Sequence, residues 1–271
     1  MTSPEPLRST ARRGLLPLPN GTVPAPAHRP VVSTLGFVAA QTKISAVVNA
    51  RRICALDGEN GTGKSTVVGY YAAQAGRLCR LVTIPDDSTV KEALSYIHVQ
   101  LTGHQPTGTK MDIRSDLYQL LSSDEYVVLL DEAQNLGVSG FKQVRNLWDV
   151  CNRMGRPFPL VIGGAGVMTT LAKVPDLADR VSVRHTMTRL GTDELIEVAK
   201  GLHPRLDVTP EALLFAVDQG YARGSLRRWD DFLTVLDTVY GPPEPGRSAQ
   251  AVSRAQADRV LVTLGHPDVK L

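Results

Sequence analysis

A glycine-rich run at Gly58–Thr66 constrains the fold of this chain more than any other feature. It reads Gly-Glu-Asn-Gly-Thr-Gly-Lys-Ser-Thr, fits the phosphate-loop pattern GxxxxGK[ST] at every fixed position and follows the apolar stretch Ile53–Leu56. A triphosphate tail must be met by backbone N–H groups at a helix N-terminus, and glycines let the backbone approach it closely. The run therefore predicts a strand, a phosphate-binding loop and a helix in succession, in an α/β protein that binds ATP or GTP.

The loop also supplies the side chains that such a nucleotide needs. The residues predicted to bind it are Gly58, Glu59, Asn60, Gly61, Thr62, Gly63, Lys64, Ser65 and Thr66. Lys64 is expected to reach the β- and γ-phosphates as a mobile positive charge, and the Ser65 hydroxyl is placed to ligate Mg²⁺. A nucleoside triphosphate with Mg²⁺ is therefore the predicted ligand.

Two acids follow the apolar run Val127–Leu130. Asp131 is expected to orient Mg²⁺ or its water shell opposite Ser65, and Glu132, one residue further on, to polarise the attacking water. Taken alone, two acids at a strand exit are equally typical of an ordinary strand-to-loop transition. Their position downstream of a phosphate loop favours hydrolysis.

Composition narrows the class of protein. The 271 residues are 42% hydrophobic, enough for an α/β core with a small second unit. The formal net charge of +3 is compatible with nucleic-acid contact without requiring it. Three widely spaced cysteines in apolar stretches predict buried thiols in a cytoplasmic protein, without a disulfide framework or metal site. No apolar run approaches the ~20 residues of a membrane span, and no secretory signal is predicted.

The chain divides into three predicted segments. Residues 1–30 are rich in Pro and Arg and are predicted to be a disordered arm, either a solvated linker or a tether to a partner or nucleic acid. Residues 31–190 alternate strands with helices, which predicts an α/β core with a parallel sheet. Residues 191–271 lose the strand pattern and predict a helical lid with a C-terminal helix.

Periodicity and capping residues place the individual elements. The five predicted strands are Ile53–Leu56, Leu78–Ile84, Tyr126–Leu130, Leu160–Ile162 and Val181–Thr186. The predicted core helices are Leu35–Ala50 with Thr34 as N-cap, Lys64–Ala75, Thr89–Leu101, Ile113–Leu121, Gly140–Arg153 and Val167–Leu171. The predicted helices of the lid region are Asp193–His203, Pro210–Tyr221 with Thr209 as N-cap, Leu226–Tyr240 and Ser248–Leu264.

Two arginines are candidates for stabilising the charge of the transferred phosphoryl group. Arg180 precedes the last core strand and is placed to reach a nucleotide held by a neighbouring subunit, as an arginine finger. The alternative for it is a surface ion pair with Asp176 or Asp179. Arg227 opens a lid helix, from which its guanidinium would cover the γ-phosphate. Arg228 is the competing candidate, since adjacent helical residues point in different directions.

Together these features resemble the AAA+ ATPases. The features are the phosphate loop, Asp-Glu-Ala-Gln at Asp131–Gln134, the Leu160–Gly164 strand, an arginine before the fifth strand, and Gly-Ser-Leu-Arg at Gly224–Arg227. From about Thr34 to Tyr240 the chain is similar to the target-selection ATPases of Mu-type and Tn-seven-type transposons, such as Mu B and TniB-like proteins. It also resembles a type II secretion ATPase and, more distantly, the Orc/Cdc6 initiators.

That resemblance implies a function. It implies ATP and Mg²⁺ as cofactors, a homo-oligomeric ring or filament on duplex DNA, recruitment of a transposase or integrase-type protein, and ATP hydrolysis that ends the assembly. Candidate DNA contacts by location are Lys110, Arg114, Lys142 and Arg145, although each taken singly is more typical of a solvated surface charge. The alternative is a secretion-assembly or signalling ATPase that acts on a protein partner without DNA. The lack of a predicted membrane segment favours the DNA-associated transposition ATPase.

One position departs from the AAA+ pattern. The fourth strand of these proteins usually ends in Asn, Ser or Thr, which helps to orient the attacking water, whereas here it ends Ile162-Gly163-Gly164. Hydrolysis is therefore expected to be slow, or to rely on Gln134 or Asn135.

Overall fold

The computed structural model describes residues 30–75, 78–123, 125–244, 246 and 248–271. The predicted Pro- and Arg-rich arm, except for Pro30, lies outside the described residues. Within them, a single five-stranded sheet with helices on both faces is followed by a helical region.

Five parallel strands form the sheet. They are β1 Ile53–Gly58, β2 Cys79–Thr83, β3 Val127–Asp131, β4 Leu160–Gly163 and β5 Val181–Met187. Their order is β2-β3-β4-β1-β5, so β4 lies between β1 and β3. In a parallel sheet all carboxyl ends meet at one edge. The glycine-rich loop after β1, the acids that end β3 and the glycines that end β4 are therefore neighbours. Each predicted strand overlaps an observed one.

Helices cover both faces of the sheet. They are α1 Leu35–Asn49, α2 Lys64–Gln74, α3 Val90–Thr102, α4 Lys110–Ser123, α5 Gly137–Arg153, α6 Val167–Ala172 and α7 Pro175–Ala178, with a 3-10 turn at Ala133–Leu136. Leu129 of β3 is buried with side chains of α1 and α2. Its neighbours Val128 and Leu130 are buried on the opposite face, with side chains of α3 to α6. Because both faces are buried, the strand is apolar throughout instead of alternating.

Side-chain caps decide where two of these helices begin. Thr34 caps α1 as predicted, because its hydroxyl accepts a backbone N–H of the first turn at 3.0 Å. By contrast, α4 begins at Lys110, three residues before the predicted Ile113. The cause is a reciprocal pair in which the Thr109 N–H donates to Asp112 Oδ2 at 2.7 Å and the Asp112 N–H donates to the Thr109 hydroxyl at 3.4 Å. Such pairs satisfy N–H groups that have no partner within the helix.

The helical region has its own buried core. Its elements are α8 Thr192–Leu202, α9 Pro204–Asp207, α10 Glu211–Val217, a π-helical turn at Asp218–Ala222, α11 Leu226–Tyr240 and α12 Arg254–Thr263. Trp229, Phe232, Leu233 and Leu236 of α11 are at most 1% exposed and pack against the other helices. Burying a large apolar side chain contributes about 1.5–3 kcal/mol. These side chains make α11 the principal packing element of the region.

The helix predicted over Pro210–Tyr221 is wrong in two respects. Its α-helical part ends at Val217, where the chain widens into the π-helical turn. Thr209 is not its N-cap, because its hydroxyl donates to the Arg205 carbonyl at 2.6 Å and accepts the Val252 N–H at 2.9 Å. Thr209 therefore links the end of α9 to the segment before α12.

The last helix also begins later than predicted. It starts at Arg254 instead of Ser248, because Ser253 caps it and Gln256 completes the capping box. Across the described ranges of the chain, none of the helices has the length and apolarity needed to cross a membrane.

Candidate functional site

The glycine-rich loop joins β1 to α2 at the carboxyl edge of the sheet. Gly58, Gly61 and Gly63 have φ angles of 149°, 83° and 92°, which glycine adopts without steric cost. Space is limiting as well: a Cβ on Gly58 would lie 2.4 Å from the Met187 carbonyl oxygen, and one on Gly61 would lie 2.3 Å from Ser225 Oγ. The loop thus presents bare backbone at a helix N-terminus, a surface that fits phosphate oxygens.

Lys64 is the first residue of α2, and its side chain folds back over the loop. Its Nζ donates to the carbonyl oxygens of Gly58 at 2.8 Å and Glu59 at 2.7 Å. Desolvation lowers the pKa of this ammonium group, three carboxylates oppose that shift, and the positive charge of Arg227 adds to it. The opposing carboxylates are Glu132, Asp131 and Asp57. Lys64 is therefore a buried cation beside the loop, held by neutral acceptors for which phosphate oxygens can substitute.

Asp131 ends β3 and is 5% exposed. It accepts a hydrogen bond from the Ser65 hydroxyl. Its Oδ1 is buried and has no hydrogen-bond partner among the described residues. Burial raises the pKa of the carboxyl group, and the Ser65 hydrogen bond opposes that shift. A hydroxyl beside a carboxylate with an unsatisfied oxygen is a set of hard oxygen ligands, so the pair fits Mg²⁺.

Glu132 lies at the exit of β3 in the left-handed conformation, with φ 52° and ψ 36°. A non-glycine residue in this region costs about 1–3 kcal/mol, and such residues concentrate at functional sites. Gln134 Nε2 donates to Glu132 Oε2 at 2.6 Å. The side-chain amide of Asn135 instead donates to the Ile84 carbonyl at 2.9 Å, beyond the end of β2. Of the two side chains expected to compensate for the missing polar residue of β4, Gln134 is the one in contact with Glu132.

The N-terminus of α11 lies against the phosphate loop. The Leu226 N–H donates to the Gly61 carbonyl at 3.0 Å, and Ser225 is the N-cap of the helix. A Cβ on Gly63 would meet Leu226 Cδ1 at 3.3 Å. The loop therefore has the positive ends of two helix dipoles beside it, those of α2 and α11, and both favour anions.

The two arginines that follow Leu226 have different environments. Arg227 lies close enough to Lys64 to lower the pKa of that ammonium group. Arg228 points into the helical region, where its Nη1 donates to the Tyr221 carbonyl at 2.7 Å and its guanidinium lies 5.8 Å from the centre of the Tyr221 ring. The structure thus brings Arg227, and not Arg228, to the side of the loop.

Arg180 lies at the amino end of β5, on the side of the sheet opposite the phosphate loop. It precedes the seven residues of β5, and a strand of that length separates it by about 20 Å from the carboxyl edge. Its Nε donates to Asp149 Oδ1 at 3.1 Å, while its side chain remains 43% exposed. The ion pair is with Asp149 instead of Asp176 or Asp179, and Asp176 pairs with Arg145. Arg180 is therefore out of reach of a nucleotide bound to the loop of its own chain.

A link between the loop and the helical region was missed in the sequence. Arg189 Nε donates to Glu59 Oε2 at 2.7 Å, and its Nη1 donates to the Arg223 carbonyl at 3.1 Å. The two charged side chains are 42% and 71% exposed, so the ion pair contributes about 0–1 kcal/mol. No motif marks Arg189; its position in the linker between β5 and α8 is the available signal.

The four basic residues considered for DNA contact fall into two groups. Arg114 and Arg145 already contact other side chains: Arg114 lies near Gln143 at 3.4 Å and over the Tyr118 ring, and Arg145 pairs with Asp176. Both lysines, Lys110 and Lys142, are exposed.

Comparison with known proteins identifies the fold. Residues 48–167 match the family model described as AAA domain, and this range contains the phosphate loop and both acids at the exit of β3. A search of the curated proteins finds no match.

Solved structures share the architecture at low sequence identity. The Aeropyrum pernix ORC2 protein in its ADPNP–ADP complexes has a TM-score of 0.65 and 14% identity, covering 88% of this chain and 70% of that chain. The Aeropyrum pernix ORC1 protein in complex with DNA has a TM-score of 0.66 and 18% identity, covering 87% and 66%. The Thermotoga maritima RuvB Holliday junction branch migration motor has a TM-score of 0.53 and 15% identity, covering 84% and 69%. The chain thus has the AAA+ P-loop NTPase fold with a helical C-terminal region, which confirms the predicted fold class, and spans about two thirds of these relatives.

Proposed function

We propose that this chain is a cytoplasmic, Mg²⁺-dependent ATPase that forms a homo-oligomer on duplex DNA and recruits or activates a transposase for target-site selection. The observation that carries the ATPase part is the convergence of Lys64, the Ser65–Asp131 pair and Glu132 around a loop of bare backbone. The AAA domain match over residues 48–167 supports the same assignment.

In the proposed complex, the N–H groups of residues 58–66 bind phosphate oxygens. Lys64 exchanges its two neutral carbonyl acceptors for negatively charged phosphate oxygens, which attract the ammonium group more strongly. Ser65 and Asp131 hold Mg²⁺, with the unsatisfied Oδ1 of Asp131 as the available ligand atom. Bound Mg²⁺–ATP supplies the electrophilic γ-phosphorus and ADP as the leaving group.

For hydrolysis, the chain must activate water and stabilise charge. Glu132 lies one residue beyond the Mg²⁺-binding Asp131, and its carboxylate accepts a proton from the attacking water. Arg227 stands on the Lys64 side of the loop, where a guanidinium stabilises negative charge on the γ-phosphate and links that phosphate to α11. Through the hydrogen bond between Leu226 and Gly61, this contact couples the nucleotide to the position of the lid.

Arg180 is assigned to a second copy of the chain. Because it lies about 20 Å from the carboxyl edge of its own sheet, it completes a site only in a neighbouring subunit. Its bond to Asp149 is a partly exposed ion pair, which costs little to exchange for a phosphate contact. Assembly and hydrolysis are coupled in this arrangement, because the oligomer completes each site.

The DNA and transposase parts of the proposal have separate support. They rest on the similarity of the phosphate loop, Asp131–Gln134 and Gly224–Arg227 to transposition ATPases, on the net charge of +3, and on the exposed Lys110 and Lys142. The ORC1 protein, which shares the fold, was solved in complex with DNA.

The ATPase proposal is tested with two substitutions and a matched control. Lys64→Ala is expected to abolish ATP binding, because it removes the buried cation, whereas Glu132→Gln is expected to keep binding and block turnover, trapping the oligomer. Lys173→Ala removes an exposed lysine that has no proposed role and serves as the control, with wild-type values expected. The measurements are titration calorimetry with ATP and phosphate release under Mg²⁺. Wild-type turnover by Glu132→Gln contradicts the role given to this residue.

The DNA proposal is tested by retention of duplex DNA on a filter, with and without a non-hydrolysable ATP analogue. Retention should require the analogue and fall steeply with salt, and Lys110→Ala or Lys142→Ala should each reduce the slope of log affinity against log salt by about 1. Binding that is absent at low salt with the analogue present rejects the DNA proposal and favours a protein partner.

A further inference from the structure

The backbone at the end of β4 leaves no room for the polar side chain that AAA+ proteins usually carry there. The Gly164 N–H donates to the Leu56 carbonyl at 3.1 Å, so this segment is held close to β1. A Cβ on Gly164 would lie 1.9 Å from Gln134 Oε1 and 3.0 Å from the Ala133 nitrogen. The space for a side chain at position 164 is therefore taken by the side-chain amide of Gln134.

The same amide contacts the predicted base. Gln134 Nε2 donates to Glu132 Oε2 at 2.6 Å, within the range of charge-assisted hydrogen bonds. The carboxylate has no hydrogen to give, so the NH₂ group of the amide must face it and the oxygen must face Gly164. That oxygen is buried without a hydrogen-bond partner in the described part of the chain. The 3-10 turn after Glu132 places the two side chains side by side.

We propose that Gln134 is a positioning residue for ATP hydrolysis and takes the place of the polar residue missing from β4. This inference rests on the proposed ATPase function. The hydrogen bond holds one oxygen of the Glu132 carboxylate, so that the other is directed to the attacking water. Gly164 is required because Gln134 occupies its side-chain space. The polar group thus comes from the chain after β3, one strand away from its usual origin.

An isosteric substitution tests the hydrogen bond. Gln134→Glu keeps the shape but replaces the donor by a second carboxylate, which cannot donate to Glu132 and repels it. The turnover number at saturating ATP should fall about 10²-fold, the low end of the range for losing acid–base catalysis. The dissociation constant for ATP should stay within about twofold, since the loop contacts are unchanged. Gln143→Glu, the same change in α5, is the control and should leave both values unchanged.

A double-mutant cycle tests the role of Gly164. Gly164→Ala displaces the amide, and Gln134→Ala removes it, so each alone should lower turnover to a similar extent. The two effects should not add in the double variant, because both remove the same interaction. A merely structural role for either residue predicts that turnover falls only in step with thermal stability, which is measured on the same samples.

The outcomes separate this inference from the ATPase proposal. If the wild-type chain releases no more phosphate than Lys64→Ala, the ATPase proposal fails, and this inference fails with it. If the wild type hydrolyses ATP but Gln134→Glu does so at the same rate, or the Gly164→Ala and Gln134→Ala effects add, the ATPase proposal stands and the inference about Gln134 is overturned.

Discussion

The contact between the phosphate loop and the helical region can be tested at Gly61. In Gly61→Ala, the added Cβ would lie 2.3 Å from Ser225 Oγ and 3.3 Å from Ser225 Cβ. Alanine at φ 83° costs about 1–2 kcal/mol. If Ser225 moves aside, α11 loses its N-cap, which costs about 1 kcal/mol. If the helix shifts, the hydrogen bond from the Leu226 N–H to the Gly61 carbonyl breaks, which also costs about 1 kcal/mol. We expect Gly61→Ala to lower the free energy of unfolding by about 3 kcal/mol.

The assay is urea unfolding followed by tryptophan fluorescence, with two further variants. Gly69→Ala is the matched control: this glycine lies inside α2 with no atom within 4 Å of an added Cβ, so the change should stabilise the protein by about 1 kcal/mol. Gly61→Ala/Ser225→Gly retains the cost of the φ angle but removes the clash, so it should be more stable than Gly61→Ala alone.

Two results would contradict the expected loss of stability. One is a Gly61→Ala protein as stable as the wild type, which would mean that the loop and α11 are not in contact in solution. The other is a double variant that is no more stable than Gly61→Ala alone, which would mean that the Ser225 clash does not account for the loss.

Three further predictions concern the arginines, the buried acid and the thiols. Arg227→Ala should weaken ATP binding about tenfold in calorimetry. Arg228→Ala should leave ATP binding unchanged but lower stability to urea, because it loses the Tyr221 contacts. Equal effects of the two variants on ATP binding would contradict the assignment of Arg227. Burial raises the pKa of Asp131, so its carboxyl group binds a proton more tightly in the folded state than in the unfolded state. The free energy of unfolding therefore falls as the pH rises from the pKa of the unfolded state through the higher pKa of the folded state. Asp131→Asn should therefore raise the melting temperature at pH 8 without nucleotide or Mg²⁺, by a margin that shrinks towards pH 4; a less stable variant at pH 8 contradicts this. Burial also raises the pKa of the thiols of Cys54, Cys79 and Cys151 to about 11. A thiol reagent at pH 8 should therefore label the protein only after unfolding. Rapid labelling of the native protein would contradict this prediction.

The features that sequence reasoning placed correctly depend on neighbouring residues. The strand, loop and helix around Gly58–Thr66 follow from glycine geometry and apolar patterning over about fifteen residues. The Thr34 cap is encoded within one turn of its helix. Two misplaced boundaries also have local causes. The Thr109–Asp112 pair is a weak signal, because it uses an aspartate where glutamate is the usual partner, whereas the Ser253–Gln256 capping box has the usual pattern and was overlooked.

The relations that sequence reasoning left open or missed join distant parts of the chain. It named Gln134 and Asn135 as equal alternatives, and the contacts at the ends of β2 and β4 distinguish them. The partner of Arg180 is Asp149, on a helix 31 residues earlier, and not the acids beside it. Each of these pairings depends on how remote elements pack.

Local residue patterns therefore predict the phosphate loop, the two acids after a buried strand and the α/β fold, because backbone conformation and burial are encoded over a few residues. Tertiary structure decided which side chains meet. It placed Gln134 over Gly164, Ser225 against Gly61, and Arg227 beside Lys64. A hydrogen bond or a steric contact needs atoms within about 3–4 Å, and only the packing of the sheet, its helices and the helical region sets distances to that precision.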